Sequence, residues 1–412
     1  MFKSVCILGR QPALGLAELE SLYGANKLQT LGEQTVLVDV DPCLLAFDRL
    51  GGSIKFCKVL TELPTTNWSE IEKYLIEVSH EHSKRMVEGK MRLGLSLYGF
   101  NVPLKQIEVT GLKLKKVIKT TGRNVRVVPN KSAELSSAQV THNQLTGPTG
   151  WELIFIKNSV STVIVQTVKV QDIAAYTHRD RDRPKRDARV GMLPPKLAQI
   201  IINLAVGELP DEAKQSVCDI PAGEVIPLPN FNGSTVLDPF CGTGVILQEA
   251  LLMGYKVQGT DLEPRMIEYS KSNLSWLSST YKLLTVNCKL EPGDAITQTW
   301  EDFTTVASEA YLGRPFTSPP SDEVLRQTVQ DVNTIIKKFL ENLARQTKPG
   351  FRLCLALPAW HTKNDFMHLP LLDHLTDMGY NRISFVHVAE IDLIYHRPGQ
   401  FVGRELVTLM RN

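Results

Sequence analysis

Apolar and polar residues in the first 172 positions alternate with two different periods. A period of two is typical of a half-buried strand, whereas apolar residues at i, i+3 and i+4 are typical of a helix. The mixture predicts small α+β layers in this part of the chain. The predicted strands are Ser4–Leu8, Thr35–Val40, Ile54–Leu60, Arg92–Tyr98, Asn124–Val128, Trp151–Ile156 and Thr162–Val170, and the predicted helices are Leu16–Tyr23, Leu44–Leu50, Trp68–Val78, Leu112–Lys119 and Ser136–Asn143.

From Thr235 onward, short apolar runs alternate with long helical periods, which predicts a mostly parallel sheet. Upstream, Pro194 and Pro195 suit a helix start, and residues 208–233 are rich in proline and glycine, which predicts a surface loop. The predicted strands are Val236–Leu237, Val257–Thr260, Leu283–Lys289, Thr304–Ser308 and Arg352–Leu357, the predicted helices are Val245–Met253, Glu263–Leu277, Asp322–Arg345 and Phe366–Met378, and Arg382–Val388 with Val402–Met410 is a closing hairpin.

The first strand of this sheet leads directly into a glycine turn. Its sequence is Asp238-Pro-Phe-Cys-Gly-Thr-Gly, and a helix follows at once. Strand, turn and helix form the first half of a nucleotide-type α/β unit, because glycine lets a ligand approach bare backbone. The next strand ends in Asp261, whose carboxylate can accept both hydroxyls of a ribose. The turn has no GxxxxGK[ST] pattern, which argues against a phosphate cradle, but a different nucleotide-binding Rossmann loop stays open.

Composition places the chain among ordinary globular proteins of two or three domains. Of 412 residues, 43% are hydrophobic and 22% are charged, and no apolar run has the roughly 18–20 residues that a membrane span needs. The seven cysteines form no CxxC pair and no Cys/His cluster. We therefore expect free thiols in a reducing cytoplasm and no metal site, with Cys241 a space-filling residue of the glycine turn.

The net charge is only +2, but basic residues are concentrated in two segments. Lys105–Lys131 contains eight basic residues and one acid, and His178–Arg189 contains six Lys or Arg residues and three aspartates. A single charged run is usually a solvated face, whereas two such runs suggest a footprint for a polyanion such as RNA. The predicted RNA-binding residues are Lys113, Lys115, Lys116, Lys119, Arg123, Arg179, Arg181 and Arg183.

The glycine turn resembles the S-adenosylmethionine site of amino-group methyltransferases, particularly of THUMP-domain RNA methylases. Further upstream, Leu93-Gly-Leu-Ser-Leu-Tyr-Gly, the lysine-rich helix and Glu134-Leu-Ser-Ser-Ala-Gln-Val resemble a THUMP domain, which grips the acceptor end of tRNA in that family. A basic-faced structural domain is the alternative. The resemblance implies a ferredoxin-like α+β domain at 1–65, a THUMP-like domain at 66–172, a basic linker at 173–190 and a Rossmann-like methyltransferase sheet at 191–412.

The cofactor offers an ammonium, a carboxylate, a ribose diol and an adenine amine. Asp238 suits the ammonium, N–H groups of Gly242–Gly244 suit the carboxylate, Asp261 suits the ribose, and Asp294 suits the adenine amine. Alone, each aspartate could equally be a turn or helix cap. The full set of predicted cofactor-binding residues is Asp238, Phe240, Gly242, Thr243, Gly244, Asp261, Leu262, Asp294 and Ala295.

The end of the fourth strand identifies the candidate acceptor site. The family that this chain resembles usually carries (Asn/Asp/Ser)-Pro-Pro-(Tyr/Phe) there, whereas this chain has Ser308-Glu309-Ala310-Tyr311. Ser308, Glu309 and Tyr311 are the predicted catalytic residues: Glu309 would accept an amine hydrogen and Tyr311 would stack on an extruded base. The later Ser318-Pro319-Pro320 is interpreted as a chance match to the family's acceptor motif. Ser-Glu-x-x-Gly also resembles the glutamate loop of protein arginine methyltransferases, and an inactive enzyme stays open.

Together these features predict a methyltransferase that acts on RNA. The resemblance is to tRNA guanosine N2-methyltransferases of the position-10 type, and it implies S-adenosylmethionine as cofactor and tRNA as partner, with no membrane and no metal involved. The alternatives are a methyltransferase for rRNA, DNA or a protein nitrogen, and an RNA-binding scaffold whose catalytic half has lapsed.

Overall fold

The computed structural model describes residues 2–84, 88–187, 192–209, 233–283, 288–316, 319–362 and 365–412. The strands are β1 Ser4–Leu8, β2 Leu28–Thr30, β3 Thr35–Val38, β4 Ser53–Leu63, β5 Met91–Tyr98, β6 Val125–Val127, β7 Gly150–Lys157, β8 Thr162–Val170, β9 Thr235–Asp238, β10 Lys256–Asp261, β11 Cys288–Pro292, β12 Thr305–Glu309, β13 Arg352–His361, β14 Phe366–Met367, β15 Tyr380–Arg382, β16 Ile394–Tyr395 and β17 Val402–Arg411. The helices are α1 Pro12–Tyr23, α2 Trp68–Lys84, α3 Leu104–Lys119, α4 Ser137–His142, α5 Ile173–Arg181, α6 Pro195–Val206, α7 Val245–Leu252, α8 Pro264–Tyr281 and α9 Asp322–Ala344.

The chain forms two compact units that are not simple sequence halves. The first comprises Met1–Pro12, Asn26–Asp48 and Ser53–Ile173. The second comprises Ala13–Ala25, Arg49–Gly52 and Ala174–Asn412. The unit that contains the glycine turn thus also includes α1, which the division by sequence placed in the N-terminal domain. The predicted domain boundaries stay predictions.

The first unit is built on one eight-stranded sheet. Its strand order is β2-β3-β1-β4-β8-β7-β5-β6, so β4 from the predicted ferredoxin-like region pairs antiparallel with β8 from the predicted THUMP-like region. Inside it, Lys55 Nζ lies 2.5 Å from Glu152 Oε1 and 2.7 Å from the carbonyl oxygen of Leu135. Both charged side chains are fully buried, and a buried charge is tolerated when it is paired in this way.

The lysine-rich helix α3 begins eight residues earlier than the predicted Leu112–Lys119. The buried side is formed by Ile107, Thr110, Gly111, Leu114 and Ile118, spaced three to four residues apart. Leu112, the first residue of the predicted helix, is 44% exposed, because the longer helix places its buried stripe elsewhere.

The second unit is a doubly wound sheet with the order β11-β10-β9-β12-β13-β17-β15. Its first five strands are parallel, and β17 runs antiparallel between β13 and β15, as predicted for Val402–Met410. Residues 383–388 of the predicted strand Arg382–Val388, however, are not in a strand. Because β9, β10 and β12 point the same way, Asp238, Asp261 and Glu309 stand at one edge of the sheet. That edge is where open α/β sheets bind ligands.

One predicted helix of the C-terminal region and one of the N-terminal region differ in the structure. Phe366–Met378 is not a helix but β14 and two 3-10 turns, because Pro370 disfavours helical backbone before it. Leu44–Leu50 is two 3-10 turns separated by extended backbone at Leu45. The third strand includes Cys288–Pro292, and residues 284–287 of the predicted strand Leu283–Lys289 lie outside the described residues, as do most of residues 208–233.

The segment predicted as a basic linker begins with helix α5. Tyr176 and Arg179 of that helix are buried, so this part of the predicted linker is a packed helix. The expectation of free thiols holds for Cys6, Cys57, Cys241, Cys288 and Cys354, but Cys43 is disulfide-bonded. In the described part of the chain, no helix combines the length and apolar character that crossing a bilayer demands.

Candidate functional site

The glycine turn between β9 and α7 requires glycine for two physical reasons. Gly242 and Gly244 have φ values of 50° and 82°, in the left-handed region that other residues rarely adopt. A Cβ atom at Gly244 would also lie 2.9 Å from Ser270 Oγ of α8, which is too close. The hydroxyl of Ser270 in turn donates to the Gly242 carbonyl at 2.8 Å, which fixes the turn against α8.

Asp261 at the end of β10 anchors this turn. Its Oδ2 accepts from the Gly242 N–H and its Oδ1 from the Glu263 N–H, each at 2.9 Å. Burial raises the pKa of this carboxyl. Its predicted role toward a ribose stays a prediction, and the structure adds a second role, the fixation of the loop backbone.

The hydrogen bonds of the turn determine which N–H groups are available for the predicted contact with the cofactor carboxylate. The Gly242 N–H is engaged by Asp261, and the Gly244 N–H donates to the Cys241 carbonyl at 2.7 Å. Among the N–H groups of these three loop residues, that of Thr243 has no partner in the described part of the chain. A bound carboxylate would therefore depend on Thr243 rather than on both glycines.

Asp238 and Ser308 form a buried pair behind the turn. The Ser308 hydroxyl donates to Asp238 Oδ1 at 2.5 Å, and the Phe240 N–H donates to the same oxygen at 3.3 Å. Burial raises the pKa of Asp238 to about 7, although both hydrogen bonds act in the opposite direction. Ser308 is fully buried, contacts Asp238 and does not line the cavity described below, and its catalytic role stays a prediction.

Glu309 is the last residue of β12 and forms an ion pair with Arg404 of β17. The exposed fractions of the two side chains are 14% and 8%. Tyr311 follows two residues later with 41% of its surface exposed. The sequence reasoning missed Arg404, although two consecutive charged residues, Arg404 and Glu405, inside an otherwise apolar strand were an available signal.

These groups surround one cavity of about 850 Å³. Asp238, Phe240, Gly242, Thr243 and Asp261 line one part, and Glu309, Tyr311 and Arg404 line another. The remaining wall is rich in aromatic rings: Phe316 and Phe401 meet edge to face at 5.8 Å, and His361 and His396 stack at 5.3 Å. The cavity thus combines the carboxylates of Asp238 and Asp261 and the exposed backbone of the glycine turn with the carboxylate of Glu309 and several aromatic rings.

Four predicted cofactor-binding residues do not line this cavity: Gly244, Leu262, Asp294 and Ala295. Gly244 shapes the turn, and Leu262 is 70% exposed. Asp294 Oδ1 accepts from the Ile296 N–H at 3.1 Å, a local turn contact, and Ala295 is buried. The cofactor contacts of Leu262, Asp294 and Ala295 stay predictions.

Two of the predicted RNA-binding arginines are buried. Arg179 Nε and Nη2 lie 2.7 and 3.2 Å from the Glu249 carboxylate of α7, and both residues are buried. Arg183 is 3% exposed. The Arg179 guanidinium is engaged within the protein, which speaks against its predicted phosphate contact, and the contact of Arg183 with RNA stays a prediction. Arg181 is exposed.

The lysines of α3 keep their predicted position on a solvent-facing side. Lys116 and Lys119 are exposed, Lys115 is half-buried, and Lys113 Nζ lies 2.5 Å from Glu72 Oε1. Arg123 is half-buried. Their contact with RNA stays a prediction. Within the described ranges, no group of three or more His, Cys, Asp and Glu side chains could hold a metal ion.

The cavity fits S-adenosylmethionine in its donor and acceptor groups. Side chains are absent where the chain bends at Gly242, Thr243 offers a free N–H, and Asp238 and Asp261 face the same space. Two carboxylates suit an ammonium and a diol, and the bare turn suits a carboxylate.

Comparison with known proteins gives the family context. A family profile described as a methyltransferase domain matches residues 230–383. A tRNA (guanine(10)-N2)-dimethyltransferase of Methanothermobacter thermautotrophicus is 26% identical over 175 residues, which cover 41% of this chain and only 39% of that relative. The protein of the same name from Pyrococcus abyssi is 25% identical over 324 residues, covering 73% of this chain and 83% of that protein. The crystal structure of TrmN from Thermus thermophilus covers 100% of both chains at 13% identity and a TM-score of 0.48.

The profile match spans the elements from β9 to β15, which contribute Asp238, Asp261 and Glu309 to the cavity. This confirms the expected Rossmann-like methyltransferase fold and S-adenosylmethionine as its cofactor. The identity of the first unit as a THUMP domain stays a prediction.

The raised pKa of Asp238 leads to a testable pH dependence. A carboxyl with a pKa of about 7 is mostly protonated at pH 6 and mostly ionised at pH 8. Because only the ionised form attracts an ammonium, we expect cofactor affinity to rise roughly tenfold from pH 6 to pH 8. The unfolded chain ionises at lower pH, so this group should make the free protein less stable as pH rises from about 4 to 7.

Titration calorimetry with S-adenosylmethionine at several pH values measures the first effect. Asp238→Asn is the matched control, since the cofactor's own ionisation is common to both proteins. A wild-type pH dependence equal to that of the variant would contradict this role of Asp238.

Proposed function

We propose that this S-adenosylmethionine-dependent methyltransferase methylates the exocyclic N2 amine of a guanosine in tRNA. The observation that carries the proposal is the placement of Glu309 and Tyr311 in the same cavity as Asp238 and the glycine turn. A hydrogen-bond acceptor and an aromatic ring beside the cofactor residues are what methylation of an extruded base requires. The names of the relatives from Methanothermobacter and Pyrococcus support a guanine amine in tRNA as the acceptor.

The chemistry of the acceptor explains why a carboxylate is useful. When bound, the cofactor supplies an electrophilic methyl group on a sulfonium. An exocyclic amine is a weak nucleophile because its lone pair is delocalised into the ring. Glu309 would accept one amine hydrogen, direct the lone pair out of the ring plane and take the proton that the amine releases.

The aromatic wall would hold the base. Tyr311 is sufficiently exposed to stack on the base. The edge-to-face pair of Phe316 and Phe401 would give the base an apolar surface to contact. The Ser318 hydroxyl of the alternative motif lies outside the described residues, but Pro319 lines the cavity.

The test is transfer of a tritiated methyl group to a tRNA transcript, followed by nucleoside mass spectrometry. We expect label in N2-methylated guanosine. Label confined to peptide would favour a protein nitrogen as acceptor, and cofactor binding without turnover on every RNA offered would favour a lapsed scaffold; either outcome overturns the proposal.

The exposed lysines of α3 are proposed to contact the RNA backbone. Each phosphate contact releases counterions, so replacing Lys116 and Lys119 by alanine should lower the slope of log affinity against log salt by about two. Filter binding of tRNA between low and moderate salt measures this slope. The control is Lys58→Ala with Lys169→Ala on neighbouring strands β4 and β8, which removes the same charge. An equal loss of slope in the control would contradict a specific contact at α3.

A further inference from the structure

The ion pair between Glu309 and Arg404 bridges two strands that are not neighbours. β13 lies between β12 and β17, with Ala356 opposite Glu309 and Pro358 opposite Arg404. Ala356 and Pro358 are two positions apart and therefore face the same side of the sheet. The small side chain of Ala356 leaves room for the two long side chains to meet above β13.

The pair leaves specific groups unused. The contact joins Arg404 Nε to Glu309 Oε1. Within the described residues, Glu309 Oε2 and the terminal nitrogens of Arg404 have no hydrogen-bond partner, and both residues line the cavity. One carboxylate oxygen is therefore fixed and the other remains available to a ligand.

A glutamate at the end of a strand would otherwise sample several rotamers, and ordering such a side chain costs conformational entropy. A carboxylate that accepts an amine hydrogen must have its oxygen correctly oriented, because the bound base fixes the position of that hydrogen. The orientation of the oxygen matters more than its basicity. An ion pair on one oxygen supplies that direction and leaves the second oxygen free.

We propose that Arg404 is a positioning residue for methyl transfer, which fixes Glu309 through Oε1 so that Oε2 meets the target amine. This inference rests on the proposed function, because it assigns Arg404 a role only through the acceptor glutamate.

The same sheet contains a matched control. Arg382 of β15 and Glu405 of β17 also form an ion pair, with Nη2 and Oε1 2.9 Å apart and Glu405 buried. Glu405 follows Arg404 directly, so its side chain points to the opposite face of the sheet, and neither Arg382 nor Glu405 lines the main cavity. Arg382→Met therefore removes an ion pair from the opposite face of the same sheet, together with the 3.2 Å contact of Arg382 Nε with Glu390 Oε2, without touching the acceptor site.

The first experiment measures kcat and KM for tRNA in Arg404→Met, Arg404→Lys and Arg382→Met, with thermal melts of each protein. We expect Arg404→Met to lower kcat about 10- to 100-fold with little change in KM, because misplacement of a reacting group by about 1 Å costs about this much. Arg404→Lys should recover part of the rate, and Arg382→Met should retain it. Equal kcat in the two methionine variants, or a loss confined to KM, would overturn the inference.

The second experiment needs no RNA. Carbodiimide coupling of glycine ethyl ester to Glu309 is followed by peptide mass spectrometry in the same proteins. We expect Arg404→Met to raise the labelling rate of Glu309 several-fold, because the carboxylate loses the group that covers it, and Arg382→Met to leave the rate unchanged. Unchanged labelling in Arg404→Met overturns the inference. A wild-type protein that methylates no tRNA refutes the proposed function instead, and the labelling still decides whether Arg404 holds Glu309.

Discussion

Replacement of Glu309 by glutamine is expected to lower the rate of methyl transfer about a hundredfold, within the range that loss of a proton acceptor produces. Glutamine has nearly the same shape, but one of its two terminal groups is an amide donor. If the amide nitrogen faces the target amine, two donors meet. If it faces Arg404 instead, the ion pair is lost and two donors meet there.

Single-turnover transfer from labelled cofactor to tRNA measures this rate, and calorimetry measures cofactor affinity, which we expect to stay at the wild-type value. Glu301→Gln, on an exposed residue of the same unit, is the control for a generic loss of charge. An undiminished rate in Glu309→Gln would place the amine acceptor elsewhere, with the segment at Pro319 and Pro320 the first candidate.

Replacement of Asp261 by alanine should have the largest effect on the cofactor. This carboxylate accepts two backbone N–H groups, from Gly242 and Glu263, and hydrogen bonds to charged groups contribute about 1.5–3 kcal/mol each. Without it, the Gly242 N–H is unpaired and the turn loses its fixed geometry. We expect cofactor affinity to fall about a hundredfold, equivalent to about 2.7 kcal/mol.

Calorimetry with S-adenosylmethionine measures the affinity, and a thermal melt shows whether the protein still folds. Asp373→Ala removes an exposed carboxylate from the same unit and should bind the cofactor normally. Wild-type affinity in Asp261→Ala would refute the role of the Asp261 carboxylate.

The variant Asp294→Ala distinguishes the two interpretations of Asp294. Weakened binding would support the predicted adenine contact, whereas wild-type affinity would leave the local turn as its role.

The local features of the site could be predicted from sequence because neighbouring residues encode them. The glycine turn, the acid after β10 and the strand that ends at Glu309 each depend on a few consecutive positions. Asp238 and Asp261 were found for that reason, and the cavity brings them together.

Features that depend on distant residues could not be predicted in this way. Arg179 is charged and looked like a phosphate ligand, but its partner Glu249 is 70 positions away. Arg404 reaches Glu309 across an intervening strand, and no local pattern encodes that contact. The apolar residues of Phe366–Met378 follow a helical period, but the backbone restriction that Pro370 places on the preceding residue outweighs it.

The inclusion of α1 in the C-terminal unit has a practical consequence for protein production. Asn203 of α6 donates to Glu18 at 2.7 Å and accepts from Arg49 at 2.9 Å, and Ser21 donates to the Asn203 carbonyl at 2.9 Å. A recombinant fragment starting at residue 191 would lack all three partners and would expose to solvent the side of α6 that they contact. Truncation studies of the catalytic half therefore need the first fifty residues supplied in the same polypeptide or added in trans.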